Sequence, residues 1–535
     1  MQSIDEKGPL VMSDIPNVLT PSGLKRRSLL GGAAAFGLAV PFAGALGRAR
    51  AADATPVKGG HLKIGMSGGQ SSDSLDPALL TNYAPTLFNY CWGETLINVG
   101  LDGTPQPNLA ESWTSSKDAK IWTLKIRKGV TFHNGQTMTA DDCVKTLQRH
   151  MDPKTKSGAL GVLGGIASVA TDGDAMVITL SGANADLPLL VTDYHLVVQP
   201  GGGIDKPTAG IGTGPYKVGN VQPGVRYSGT KYAGYWNSDL GHVESVDVIV
   251  MNDDTARTAA LQSGQVHIIN QVDPKIVSFM KRNPRVVIET VAGRGQNIFN
   301  MFCDTGPFKS NDVRMALKLA MDREQLTKQI MLGYASIGND FPINKAYPLF
   351  PSDIPQRTCD PDKAKFFYKK SGNTDPIVLR SAEVAFSGAV DAATLFQQQA
   401  QKAGIPVQVV REPDDGYWSN VWNKKPFSAS YWGGRATQDQ MYSTAYLSKA
   451  DWNDTHFFHP EFDTMLLQAR GELDTAKRAE MYHDMGMLVR DQGGSLLPFF
   501  NDFIDARSST VMGWVSDPNG PLSNYQAPLR VWLKA

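Results

Sequence analysis

Side chains able to do chemistry are plentiful in this chain, yet they do not gather into a catalytic pattern. There is no GxSxG elbow, no HExxH, no CxxC and no phosphate-binding P-loop. His456 and His459 stand three apart in THFFHPEFD, with no cysteine or carboxylate completing a recognised metal set. Pro460 is expected to disrupt a helix beginning there, so both read as loop or interface histidines. The neighbours Asp141-Asp142 read as the acidic start of a helix. Neither they nor Asp414-Asp415 show the facing carboxylates that glycoside hydrolysis needs. GTGPY at 212–216 is too short for a dinucleotide fingerprint and reads as a turn whose glycines permit positive φ. No catalytic residue, no cofactor and no metal is expected.

One stretch stands apart. SYWGGRATQD, at 430–439, puts two large rings, two glycines and a single arginine in a segment without helical period. A guanidinium is positive at any physiological pH and offers a planar fork to carboxylate or phosphate. Arg435 therefore reads either as a contact to a ligand's acid group or as a partner of a protein carboxylate such as Asp439. Trp432 reads as a flat wall able to stack on a peptide group or a sugar face.

The elements that would position these residues belong to a large protein. At 535 residues the chain exceeds the size at which one core stops growing, so two or three domains are expected. Lys+Arg and Asp+Glu both number 52, and this balance gives no electrostatic footprint for a nucleic-acid partner. Residues 1–51 differ in character. A KRRSLL stretch precedes an apolar, glycine-rich run that ends in Ala49-Arg50-Ala51, the pattern of a twin-arginine-like export signal. Its removal takes away six Lys/Arg and three Asp/Glu, leaving 46 against 49 and a formal charge of −3. An oxidising compartment would permit disulfides among Cys91, Cys143, Cys303 and Cys359, with three full pairings open. Cys143, in a predicted helix, reads equally well as a buried free thiol.

Further along, strand and helix signals alternate. A helix is expected from about residue 75 to near Gly100, a strand at 120–128, and a helix after Thr139 with Asp142 completing an acidic capping box. Val313, Ala316, Leu317, Ala320 and Met321 fall at helical intervals. PIVLRS, DAATLFQQQAQKAG and IPVQVV read as a strand-helix-strand unit. The fold class is α/β.

Several segments in order then carry a family likeness: GGHLKIG near the mature start, LDP at 75–77, GETLI at 93–97, PNLAESW through KTLQR at 107–149, GTGPY, SNDVRMALKLAMDREQL at 310–326 and GSLLPFF at 494–500. Together the chain resembles the bacterial extracytoplasmic solute-binding proteins of the oligopeptide/dipeptide-binding family, which feed ABC importers. The resemblance implies a large three-lobed periplasmic-binding-protein fold with a hinged ligand cleft. Domain I would comprise 52–99, 201–310 and 499–535, domain II the insert 100–200, and domain III 311–498. It further implies a monomer in the periplasm that takes a short peptide or small polar solute to an inner-membrane ABC permease.

Peptide binders of that family carry a tryptophan followed three positions later by an aspartate that receives the peptide ammonium. Here Trp432 matches, but the aspartate position holds Arg435. This substitution points toward an anionic or zwitterionic solute such as an opine, a sugar acid or an organic phosphate. The ligand-contact set expected from the resemblance is Trp432, Arg435, Gly433 and Gly434, with Trp418, Tyr417, Tyr83, Asn82 and Tyr446 as further candidates.

Overall fold

The computed structural model describes residues 55–413, 417–450 and 452–534, so the export signal and Asp414-Asp415 lie outside the described residues. The first strand, His61–Met66, buries Leu62, Ile64 and Met66 completely. It sits inside an 11-stranded sheet, parallel to Ser245–Val250 on one side and to Ile268–Ile269 on the other. Outward from Ser245–Val250 the order continues through Arg226–Lys231 to Tyr216–Gln222. In the other direction Ile268–Ile269 meets Ser495–Ser508, then Val286–Met301, Phe427–Trp432, Ile377–Ser381 and Val407–Arg411.

Two strands in that order are unusually long. Val286–Met301 has 16 residues and Ser495–Ser508 has 14, and they pair antiparallel along nearly their whole length. Their register shifts between Ala292 and Gln296, where the chain reads Gly293-Arg294-Gly295. A Cβ at Gly293 would lie 2.8 Å from the Phe503 ring and 2.9 Å from the Asn501 carbonyl, so only glycine fits the bulge. The strand-helix-strand unit is present as Ile377–Ser381, helix Ala389–Lys402 and Val407–Arg411, its two strands parallel.

Residues 110–180 build a second sheet of four antiparallel strands with helix Ala140–Met151 against it. Thr139 and Asp142 cap that helix reciprocally, as the sequence predicts. Trp122, Leu124, Leu147 and Ile178 form its core, and Cys143 is a buried free thiol there. All four cysteines are free.

Three local expectations change. The helix Tyr83–Trp92 stops at Gly93 and not near Gly100; the chain turns extended there and passes so close to Val197 that a Cβ would sit 2.2 Å from its Cγ1. Gly212 and Gly214 have no left-handed φ. Their need is space, since a Cβ would come within 2.4 Å and 2.7 Å of the Trp92 backbone. Pro460 does not interrupt a helix but opens one, Pro460–Gly471, with the His459 ring accepting from the Phe462 N–H.

Buried charge fastens this frame. Asp340 is fully buried and pairs with Arg323 at 2.6 Å and with Arg357 at 2.9 Å, and it accepts the Leu497 N–H at 3.0 Å. Burial pushes its carboxyl up, but Arg323, Arg357 and Lys318 outweigh this and hold it below the usual aspartate value. Removing the carboxylate would leave Arg323 buried without its anion, while Arg357 would keep Asp491 at 2.6 Å. Asp340→Ala is expected to cost roughly 3–5 kcal/mol of unfolding free energy, read as a lowered urea midpoint. An unchanged midpoint would show that the cluster adds nothing.

Candidate functional site

The long strand pair also floors a cavity of about 580 Å³. Asn297 comes from one strand and Asn501, Asp502 and Asp505 from the other. Tyr83 lines it from the N-terminal part of the chain and Gln271 from the middle, while Phe386 and Tyr431 line it from the segment 377–432. Two aromatic surfaces therefore share one polar floor. Tyr83 opens its helix and stacks on Tyr525 at 6.3 Å, with Tyr90 on the other neighbour contact of Tyr525 at 6.2 Å. Tyr431 is 51% exposed and meets the Trp418 ring edge-on at 5.4 Å.

The charge of this lining is one-sided. It contains five carboxylates, Asp254, Asp273, Glu383, Asp502 and Asp505, against Lys275 as its one cation. Asp505 is buried, and its Oδ2 accepts the Leu522 N–H at 2.6 Å. Burial raises its carboxyl to about 7, the Leu522 contact offsetting this only in part. Burial likewise raises Asp502 to about 6, against the pull of Lys345.

Strand alternation sends Trp432 the other way. Phe427, Ala429 and Tyr431 share one face of Phe427–Trp432, and Ser428, Ser430 and Trp432 the opposite one. Trp432 is buried, and its Nε1 donates to Asp454 at 3.2 Å. Trp422 Nε1 and Asn300 Nδ2 donate to the same oxygen at 2.8 Å and 2.6 Å. Arg435 lies 5.9 Å from the Trp432 ring centre, and its Nη1 donates to the carbonyls of Gly433 and Gly434. It lines a second cavity, of about 520 Å³, between residues 161–190 and 435–470. Asp439 is taken by Arg470 at 3.0 Å, so the expected Arg435–Asp439 bridge is not formed.

The remaining candidates separate by burial. Tyr417 is a core residue whose hydroxyl donates to the Ala429 carbonyl, and Tyr446 is buried with its hydroxyl on Ser495. Asn82 donates to Asp73 at 2.6 Å and does not line the first cavity. Gly434 lies against Arg294, where a Cβ would meet the Arg294 Cβ at 2.4 Å. Gly433 offers its carbonyl to Arg435. Trp418 supports Tyr431 from behind. Thus Tyr83 and, through Tyr431, Trp418 belong to the first cavity, while Arg435 belongs to the second. Tyr431, Asn297, Asp502 and Asp505 line the first cavity and were not anticipated. His456 stacks on Phe302 at 3.7 Å, and among the described residues no three metal-ligating side chains come together.

Asp454 gives a pH-dependent signature. Burial raises its carboxyl to about 7, against the indole donors of Trp422 and Trp432. A carboxyl raised above its unfolded value of about 3.9 favours folding at low pH, and that contribution is lost as pH rises through the folded value. Wild type should therefore lose stability between about pH 4 and 7, and Asp454→Asn should flatten this slope by up to about 1.4 kcal/mol per pH unit. Urea midpoints of both proteins across that window provide the check, and parallel curves would count against an ionising Asp454.

Comparison with known proteins agrees with this architecture. Residues 104–454 match the family described as "Bacterial extracellular solute-binding proteins, family 5 Middle". The dipeptide-binding protein of Escherichia coli (strain K12) is 23% identical over 455 residues, covering 77% of this chain and 84% of the relative. HbpA2 from Haemophilus parasuis superposes with a TM-score of 0.79 at 19% identity, over 89% of this chain and 100% of the other. DppA from Helicobacter pylori, solved with the peptide STSA, gives 0.71 at 20% identity over 90% and 99%. Among the described residues no helix is long and apolar enough to cross a membrane. With a frame of this topology and more than half of the sequence matched, the chain belongs to the bacterial extracellular solute-binding proteins of family 5.

Proposed function

We propose that this protein captures a short peptide or peptide-sized polar solute in the cavity between Tyr83 and Tyr431 and delivers it to the permease of an ABC importer from the periplasm. The carrying observation is that one cavity, floored by the long strand pair, is walled by aromatic rings from two segments far apart in sequence. Rings on both sides with polar groups between them are what a desolvated, oriented ligand needs. We assign the walls to domain I (52–99, 201–310, 499–535) and domain III (311–498), with 100–200 as domain II. Closure of I on III about the strand pair would be the signal that the permease reads. The dipeptide-binding relative and the peptide-bound DppA support a ligand of this size. Export through the twin-arginine-like segment 1–51 belongs to the same reading.

The test begins with the solute itself. Protein purified from its native host is denatured, and the released small molecules are identified by mass spectrometry. Calorimetry with that solute should show Tyr431→Ala and Tyr83→Ala each weakening binding by about 5- to 30-fold. Wild-type affinity in both variants would move the site away from this cavity.

A further inference from the structure

We infer that the cavity between the four-stranded unit and residues 435–470 is a second binding site, which takes a small monoanion with an apolar tail. Its two walls differ in character. From the unit come Ile166 and Leu180, cross-strand neighbours in the hairpin of Ile166–Asp172 and Ala175–Leu180, and Leu187 of the short helix that follows. The facing wall is built by helices Gln438–Ala445 and Pro460–Gly471. Leu467 and Arg470, three apart on the second helix, lie on one side of it. Leu467 is 55% exposed, an apolar side chain that no protein group covers fully. The walls are fastened to each other at one edge. There the Ala185 N–H donates to the Arg470 carbonyl at 2.7 Å, and Arg478 Nη1 donates to Asp186 at 2.8 Å. The space left between them, about 520 Å³, equals roughly 17 waters at about 30 Å³ each.

Three charged side chains line this space, Arg435, Asp439 and Arg470. Asp439 is buried, and both its oxygens accept from Arg470 Nε, at 3.0 Å and 3.1 Å. That pair cancels, so the lining keeps one positive charge, on Arg435. Its Nη1 is taken by the Gly433 and Gly434 carbonyls. Among the described residues its Nε and Nη2 have no hydrogen-bond partner, and their N–H groups lie along one edge of the guanidinium. A carboxylate or phosphate accepts such an edge through two parallel bonds. An acid group there, with its chain against Ile166, Leu180, Leu187 and Leu467, satisfies both halves of the cavity. A second acid group would find no unpaired cation, and an ammonium would meet the like charge of Arg435. No residue lines both this cavity and the one between Tyr83 and Tyr431, so each can be tested without the other.

The test titrates the mature full chain with sodium octanoate by calorimetry. Octanamide, which keeps the tail without the charge, and sodium acetate, which keeps the charge without the tail, serve as controls. Wild type should bind octanoate saturably, at least about 10-fold tighter than either control. Arg435→Gln should weaken octanoate about 10-fold and leave octanamide unchanged. Leu467→Glu, at a half-exposed position, sets a like charge in the cavity and should weaken octanoate by a similar factor of about 10. Thermal melts monitor the folding of both variants. Tyr431→Ala, in the other cavity, should bind octanoate as wild type does. Three results each overturn the site: no saturable octanoate binding by wild type, equal binding of octanoate and octanamide, or wild-type affinity in both Arg435→Gln and Leu467→Glu. Loss of octanoate in Tyr431→Ala with retention in Arg435→Gln moves it to the first cavity and overturns the site as well.

Discussion

The antiparallel ribbon of Val286–Met301 and Ser495–Ser508 is the constraint on which the rest of the molecule depends. At about 3.3 Å per residue such a pair is long enough to belong to both ends of the large sheet at once. One end joins Ile268–Ile269 and the N-terminal strand, the other joins Phe427–Trp432. The same backbone supplies the cavity floor, between aromatic walls that other elements carry. Its irregular point is Gly293-Arg294-Gly295. Buried Arg294 donates there to the carbonyls of Ala346, Arg435 and Ala436 and to Asn519, tying the loop after Trp432 to the C-terminal segment. A bulge bends the strand that carries it, and the arginine fork joins the segments that meet there.

Buried carboxylates are handled in two contrasting ways. Asp340 meets two guanidinium groups and stays ionised, and this serves the frame. Asp454 and Asp505 have neutral donors but no contacting cation, and burial drives both upward. At Asp454 the donors come from two indoles and an asparagine, which fixes the Trp422–Trp432 pair. At Asp505 one oxygen accepts the Leu522 N–H, and the Gln271 backbone also counters the effect of burial. The same desolvation raises both carboxyls, although the donors that offset it differ.

Arg435 shows why charge in a sequence does not fix its target. Its guanidinium has backbone carbonyls within reach two residues away, so it folds back and leaves Asp439 to Arg470. The glycines that free this loop have their own steric reason at Gly434, pressed against Arg294. In the structure Arg435 lies beside the Trp432 ring and lines the cavity shared with the four-stranded unit.

Much of the fold was legible in the sequence because local signals there agree with one another. The capping box at Thr139 and Asp142, the helical spacing of Val313 to Met321, and the strand-helix-strand unit near 377–411 are set by neighbours a few residues apart. Family membership was legible too, since ordered motifs survive when ligand contacts change. The cavity lining was legible only in part. Tyr83 could be placed at the cavity, but the choice between Tyr431 and Trp432 depends on which face of a strand meets the core. Asn297 stands some 200 residues from Asp502 and Asp505 along the chain, and only sheet pairing brings their two strands side by side. By itself the sequence determined the elements, the family and the absence of any known catalytic pattern, all matters of short-range order. Only the tertiary structure decided which rings and oxygens share a cavity, because that follows from long-range register and from the desolvation of groups that no local pattern brings together.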